Sequence, residues 1–258
     1  MDFASIVGTI MAAMAIVVGT FAAGISAGQI IDVASLFITV GGASGTVILS
    51  NPLPLTLNTF KVYRQIFHVP QFDVKGKILQ IVSFSEKARR DGLLALEDDM
   101  EELNDDFMKK ALQLVVDGTD PEIVRNVMQI DLESMEERHK NNRSWFDSLA
   151  TLAPGFGMLG TLIGLVGMLA NLGGDPSAIG RGMAAALITT FYGSLIQNML
   201  AVPVSNKLKN RTNEEVLVKQ VMIEGTLSIQ AGDNPRIVQE KLASYLTPDM
   251  RAELKQAE

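Results

Sequence analysis

The sequence predicts an all-α, polytopic membrane protein with four transmembrane helices and a cytoplasmic helical domain. Three observations carry this. The 258 residues are 47% hydrophobic and only 20% charged, against about 25% charge in an ordinary soluble domain; mean hydropathy is +0.22. The charges are segregated: Phe3–Ile31, Val33–Phe60, Ser148–Gly174 and Gly182–Asn206 contain none. Each of these runs exceeds the ~20 apolar residues that cross a bilayer as a helix. The charged stretches repeat their apolar residues at helical spacing and show no strand pattern. Buried helices of a large soluble core are the alternative, and such a core would keep almost no polar coat.

Taken in order, the spans fall near 3–23, 29–50, 148–171 and 181–205. Met1 and Asp2 precede the first directly. That segment has no basic n-region, so no cleaved signal is expected. Segment 51–147 is the helical domain. Ser83–Val116 reads as helix, and Asp117-Gly118 breaks it. Asp120-Pro121 supplies a cap and a first-turn proline for the next helix. No stop signal follows before Trp145, so this helix is expected to run into the third span, with Pro154 reshaping it near the membrane surface. The tail, 207–258, continues the fourth span to about Gln230. Gly232 ends it, and Asn234-Pro235 and Thr247-Pro248 start two shorter helices. Of 22 Lys and Arg, all but Arg181 lie in 51–147 or the tail. The positive-inside rule then puts both segments and both termini in the cytoplasm.

Composition also excludes. There is no cysteine, hence no disulfide framework, thiolate metal site or cysteine nucleophile. His68 and His139, the two histidines, lie far apart in the chain and in no metal-enzyme spacing. The net charge is −7 and no basic tract occurs, so nucleic acid is not expected as a partner. The Gly-rich third span lacks the Gly-Lys-Ser/Thr ending of a phosphate loop. Asp98, Asp99, Glu101 and Glu102 read as a solvated acidic face. Neither an enzyme nor a tightly bound cofactor is predicted.

The third and fourth spans have distinct faces. Gly157, Gly160, Gly164 and Gly167 share one, which favours close helix packing. Pro154 and Thr161 are seven apart and share another. On the fourth span Ala186, Thr190, Gly193 and Gln197 form one small, polar stripe. The hydroxyls of Thr161, Thr189 and Thr190 have two readings. They satisfy the carbonyl four residues back, or they line a pore that coordinates a hard cation through oxygen. No span carries an ionisable side chain in its interior; Asp32 and Arg181 stand at outer ends. Ion pathways in lipid need a buried carboxylate, so a conducting assembly would draw it from another chain.

Four segments, together with the order of the spans, resemble the MotA/PomA flagellar stator family over essentially the whole chain. They are Ala88-Arg89-Arg90-Asp91-Gly92-Leu93-Leu94-Ala95-Leu96-Glu97, Ala153–Thr161, Leu187–Gly193 with Pro203, and Gly232–Arg236, in that order on the four-span plan. The likeness is greatest to the sodium-driven PomA branch. The resemblance implies a multi-pass protein of the bacterial inner membrane. It implies five copies around two copies of a single-span MotB/PomB-type partner whose aspartate carries the ion, surrounded by lipid. Ion flow, expected to be Na⁺ with H⁺ as the alternative, then drives torque on the rotor protein FliG. By the same resemblance Arg89, Arg90 and Glu97 contact the rotor. Thr161, Thr189, Thr190 and Asp32 lie on the ion pathway, and Pro154 and Pro203 couple ion flow to movement. On pattern alone Arg89 and Glu97 are equally a solvated pair, and the prolines ordinary kinks. The competing functions are an ExbB/TolQ-like energy-coupling subunit, which would have three spans, and a membrane scaffold that conducts nothing.

Overall fold

The structure is a computed structural model that describes residues 2–68, 72–173 and 176–256. It is helical, with no strand among the described residues. In chain order, α1 spans Phe3–Ala22 and α2 Ala27–Ile30. After a break at Ile31–Asp32 come α3, Val33–Leu36, a π-helical turn Phe37–Gly41, and α4, Gly42–Ser50. Next are α5, Leu53–Gln65, and α6, Val74–Asp91, then a 3₁₀ turn Leu93–Leu96. α7 is Glu97–Glu102, α8 Asp106–Val116 and α9 Pro121–Ala170. α10, Pro176–Leu195, passes through a π-helical segment Ile196–Ala201 into α11, Val202–Gln230. α12, Pro235–Ala243, and α13, Pro248–Gln256, close the chain. Four helical stretches are long and apolar enough to cross a membrane: Phe3–Ala22, Val33–Ser50, Pro121–Ala170 and Pro176–Gln230.

Local chemistry sets these limits. Short acceptors cap the starts, where the first N–H groups of a helix have no internal partner. Asp2 accepts from Ser5 N, Asp32 from Ser35 N, Asp73 from Gly76 N, Asp105 from Met108 N and Asn234 from Arg236 N. Left-handed glycines end α8 and α11: Gly118 has φ 73° and Gly232 φ 71°. In each case the next N–H reaches back five residues, Thr119 to Leu114 O and Asp233 to Ser228 O, the Schellman pattern.

Three expectations change. Ser83–Val116 is not one helix. Gly92, at φ 88° and ψ 165°, stops α6 in a conformation open essentially to glycine alone, and Asp105 restarts the chain as a cap. The second span does not begin at 29 as a continuous helix; it breaks at Ile31–Asp32 and contains a π turn. The fourth helix begins at Pro176 and holds a second π segment just before Pro203. Pro203 has no N–H to offer the carbonyl four residues back, and the Val202 N–H bonds Gln197 O, five residues back.

The chain divides into two compact units, residues 1–69 with 139–209 and residues 70–138 with 210–258. The divisions at 138/139 and 209/210 fall inside α9 and α11. The first unit has a core of small side chains: Ala43, Val47, Leu149, Ala153 and Ala201. It also holds residues outside the spans, because Val62 of α5 and Ile66 just after it bury with Phe146 and Val204. Trp145 meets Phe146 edge to face, with ring centroids 5.3 Å apart. Trp145 is half-buried, and among the described residues no acceptor reaches its buried indole N–H. No residue of α1 is fully buried within this chain. Its start is tied down: Asp2 N donates to Phe67 O at 2.9 Å, and the Asp2 carboxylate pairs with Lys207.

The second unit has a conventional core around Ile78, Ile81, Met108, Leu112, Met128, Leu132, Ile229 and Leu242. Gly225 lets Ile81 lie against α11; a Cβ there would fall 2.6 Å from Ile81 Cγ2. Ion pairs close the edges. Lys77 reaches Asp105 and Lys87 reaches Asp99, each at 2.8 Å. Arg125 reaches Glu224 at 2.5 Å. The Arg251 guanidinium donates to Ala243 O, Ser244 O and Leu246 O, fastening α13 to the end of α12.

Candidate functional site

In the first unit α9 and α10 meet almost backbone to backbone. A Cβ on Gly164 would stand 2.7 Å from Ala186 N and from Gly182 O. One on Gly182 would stand 2.9 Å from Gly164 O, and one on Gly193 2.6 Å from Ala153 O. A Cβ on Gly157 would stand 3.0 Å from Thr189 O, and one on Gly160 would stand 2.4 Å from the Thr189 side chain at Cγ2. Only glycine permits this approach, the expected role of small residues between membrane helices. Gly167 differs from its sequence grouping, since nothing lies within 4 Å of its position.

The close approach brings the three threonines together. Thr161 Oγ1 lies 2.9 Å from Ala186 O, 3.1 Å from Gly157 O and 2.5 Å from Thr190 Oγ1. Thr189 Oγ1 lies 3.0 Å from Ala185 O and 2.9 Å from Ala186 O; Thr190 Oγ1 is 3.4 Å from Ala186 O. Three hydroxyls therefore converge on one carbonyl. Thr189 is fully buried and Thr190 exposed on the single chain. Each hydroxyl brings one proton and two lone pairs, and each carbonyl brings lone pairs alone. The cluster is richer in oxygen acceptors than in protons, the composition that suits a hard cation. Back-bonding to the carbonyl four residues back is present at all three hydroxyls.

The second span contributes residues that sequence reasoning missed. Ser35 Oγ reaches Ala185 O and Thr39 Oγ1 reaches Thr189 O, each at 3.4 Å. Ser35, Thr39, Ala43 and Val47 are all fully buried at steps of four, and that small-residue stripe was readable. At the end nearer Ile30, the Tyr192 hydroxyl donates to Ile30 O at 2.6 Å and accepts from Asp32 N at 3.3 Å. Asp32 itself is half-buried and spends its carboxylate on capping α3. Pro154 lies within α9, with its Cα beside Gly193. Pro203 is exposed, two residues past the π segment.

Arg89, Arg90 and Glu97 belong to the second unit and are not part of this seam. Arg89 and Arg90 end α6 and Glu97 begins α7, all exposed, on either side of Gly92. Arg90 forks onto Asp91 at 2.9 Å, and its guanidinium holds that carboxyl below the ordinary range. Beneath them the buried Leu96 and Met100, with the Lys87–Asp99 pair, hold the corner. Burial pushes the Asp105 carboxyl up, but Lys77 and the Met108 N–H outweigh it and hold it low.

Fold and site together define an all-helical, polytopic membrane subunit whose spans meet along a hydroxyl-lined seam. Residues 99–221 match the model of the MotA/TolQ/ExbB proton channel family. Over 99% of its length the chain is 45% identical to motility protein A of Treponema pallidum, covering 98% of that protein. It is 37% identical to chemotaxis protein PomA of Vibrio alginolyticus, covering 98% of each. The fold matches the flagellar MotAB stator complex from Bacillus subtilis with a TM-score of 0.89 and 33% identity, over 100% of both chains. The chain belongs to the MotA/TolQ/ExbB family, within its motility protein A group.

Proposed function

We propose that this chain is the ion-path subunit of a flagellar stator and that the cation it passes is Na⁺. A single-span MotB/PomB-type partner supplies the membrane carboxylate, five copies of this chain surround two of the partner, and ion flow drives torque on FliG. The multi-pass subunit sits in the bacterial inner membrane with both termini in the cytoplasm. The observation that carries the reading is the convergence of Thr161, Thr189 and Thr190 on Ala186 O in spans that hold no carboxylate of their own. A sodium ion that sheds water needs several oxygens, and the hydroxyls and carbonyls offer them; a proton needs only the partner's carboxylate. The exposed Arg89, Arg90 and Glu97 are the rotor-facing charges in this reading, since electrostatics suits fast, reversible docking. Pro154 and Pro203 flank the seam as its moving joints.

The test is swimming speed in a stator-deleted host carrying this chain and its partner, with external sodium varied at fixed pH. Speed is expected to rise with sodium and saturate. Thr161→Ala and Thr190→Ala are each expected to raise the half-saturating sodium roughly tenfold, the effect of about 1.4 kcal/mol. Speed indifferent to sodium yet abolished by a protonophore assigns the motor to H⁺, in keeping with the proton-channel name of the family.

A further inference from the structure

The fourth membrane helix is interrupted once, and the structure pins it on both sides of the interruption. Between Ile196 and Ala201 the ladder is π-helical. Pro203 then withholds the N–H that the Met199 carbonyl would use. The regular α-helical ladder is interrupted here, and π-bulges and prolines are where helices bend. Before it, Gly193 rests on the backbone of Ala153 and Pro154. After it, the buried Ser205 donates its hydroxyl to the Asp147 carboxylate. Both anchors belong to α9. The other Asp147 oxygen is held by Arg143 Nε at 3.1 Å, one turn back on α9, so the carboxylate is preset toward Ser205. Two residues beyond Ser205, Lys207 pairs with Asp2 at the cap of α1.

The place of this clasp along the chain gives it meaning. The chain leaves the first unit twice through helix, at 138/139 in α9 and at 209/210 in α11. Asp147 and Ser205 lie just inside those two crossings and join them. We propose that Asp147 is a positioning residue: through Ser205 it makes α9 and the segment beyond Pro203 move as one body. A displacement at the hydroxyl seam then leaves the unit along both helices together instead of being absorbed at the π segment. This rests on the stator reading above, and it names the residues that keep ion flow and torque in step.

The experiment uses the full chain with its partner in a stator-deleted motile host. Stall torque by bead rotation, sodium uptake and membrane abundance are measured for wild type, Asp147→Ala, Ser205→Ala, the double variant and Ser205→Thr. Each alanine variant is expected to lose torque several-fold at unchanged uptake and abundance. The double variant is expected to be no worse than either single, because both remove one interaction. Ser205→Thr, which keeps the hydroxyl, is expected to restore torque. Unchanged torque, additive losses, uptake falling in step with torque, or losses explained by abundance alone would each overturn the assignment. Should Asp147→Ala fail to accumulate, equal torque in Ser205→Ala and Ser205→Thr overturns it. A wild-type chain that turns no motor sinks the stator reading and this inference with it. A wild type that turns alongside variants that match it sinks the inference alone.

Discussion

At the scale of single residues, the seam depends on absent side chains. Gly164 and Gly193 stand where a Cβ would press within 2.7 Å of the facing backbone, which cannot yield as a flexible side chain does. Gly164→Ala and Gly193→Ala are expected to cost about 1–3 kcal/mol each, the range of overpacking. Thermal unfolding of the purified protein in detergent checks this. Gly167→Ala is the internal control: its site is open, so the same added methyl is expected to cost nothing and to raise the melting temperature slightly, as replacing a glycine inside a helix does. The sequence made half of this legible. Period and composition put Thr161 beside the glycine face and Thr190 on the polar stripe. They did not separate Gly167 from its three neighbours, because a face is not a contact until the facing helix has a register. The Ser205–Asp147 bond was invisible for a stronger reason. The residues are 58 positions apart, and no local rule links them.

Among the elements, helix ends were the most readable feature and internal irregularities the least. Asp120-Pro121, Asn234-Pro235 and the Gly118 and Gly232 stops act through bonds within a turn of themselves, so their chemistry is local and legible. Pro203 adjoins the π segment of the fourth span and marks an irregularity there, whereas no residue type or spacing marks the π turn Phe37–Gly41 of the second. Gly92 lies between. Its residue type permits a break, yet the helical spacing around it argued for continuity, and the backbone at φ 88° and ψ 165° decides. Gly92→Ala is expected to lower stability by about 1–3 kcal/mol, the cost of holding a side chain in a glycine-only region, measured by thermal unfolding of the full chain. In the proposed motor the same variant is expected to reduce torque without changing sodium uptake, since Arg89, Arg90 and Glu97 are set by that corner.

For the molecule as a whole, the four-span plan and the helical class were legible because segregated charge is a property of the entire chain. The sequence set 51–147 and 207–258 apart from the spans, but not the places where the two units part, because α9 and α11 pass through both divisions unbroken. The second unit carries a pH dependence of its own. The Arg125 guanidinium, with Lys241, holds the Glu224 carboxyl below its ordinary value of 4.5 despite partial burial. A carboxyl lowered by folding stabilises above its unfolded pKa and loses that contribution as pH falls through the folded one. The wild-type advantage over Glu224→Gln is therefore expected to be full above pH about 5 and to vanish in more acidic solution, read as the difference in melting temperature across pH. Trp145 offers a last consequence. It is the sole tryptophan of the chain, two positions from Asp147, packed on Phe146 with its indole N–H unclaimed among the described residues. Nature has thus left an optical gauge at the clasp. In the proposed motor its emission colour is expected to report, without any label, how wet that corner of the protein becomes.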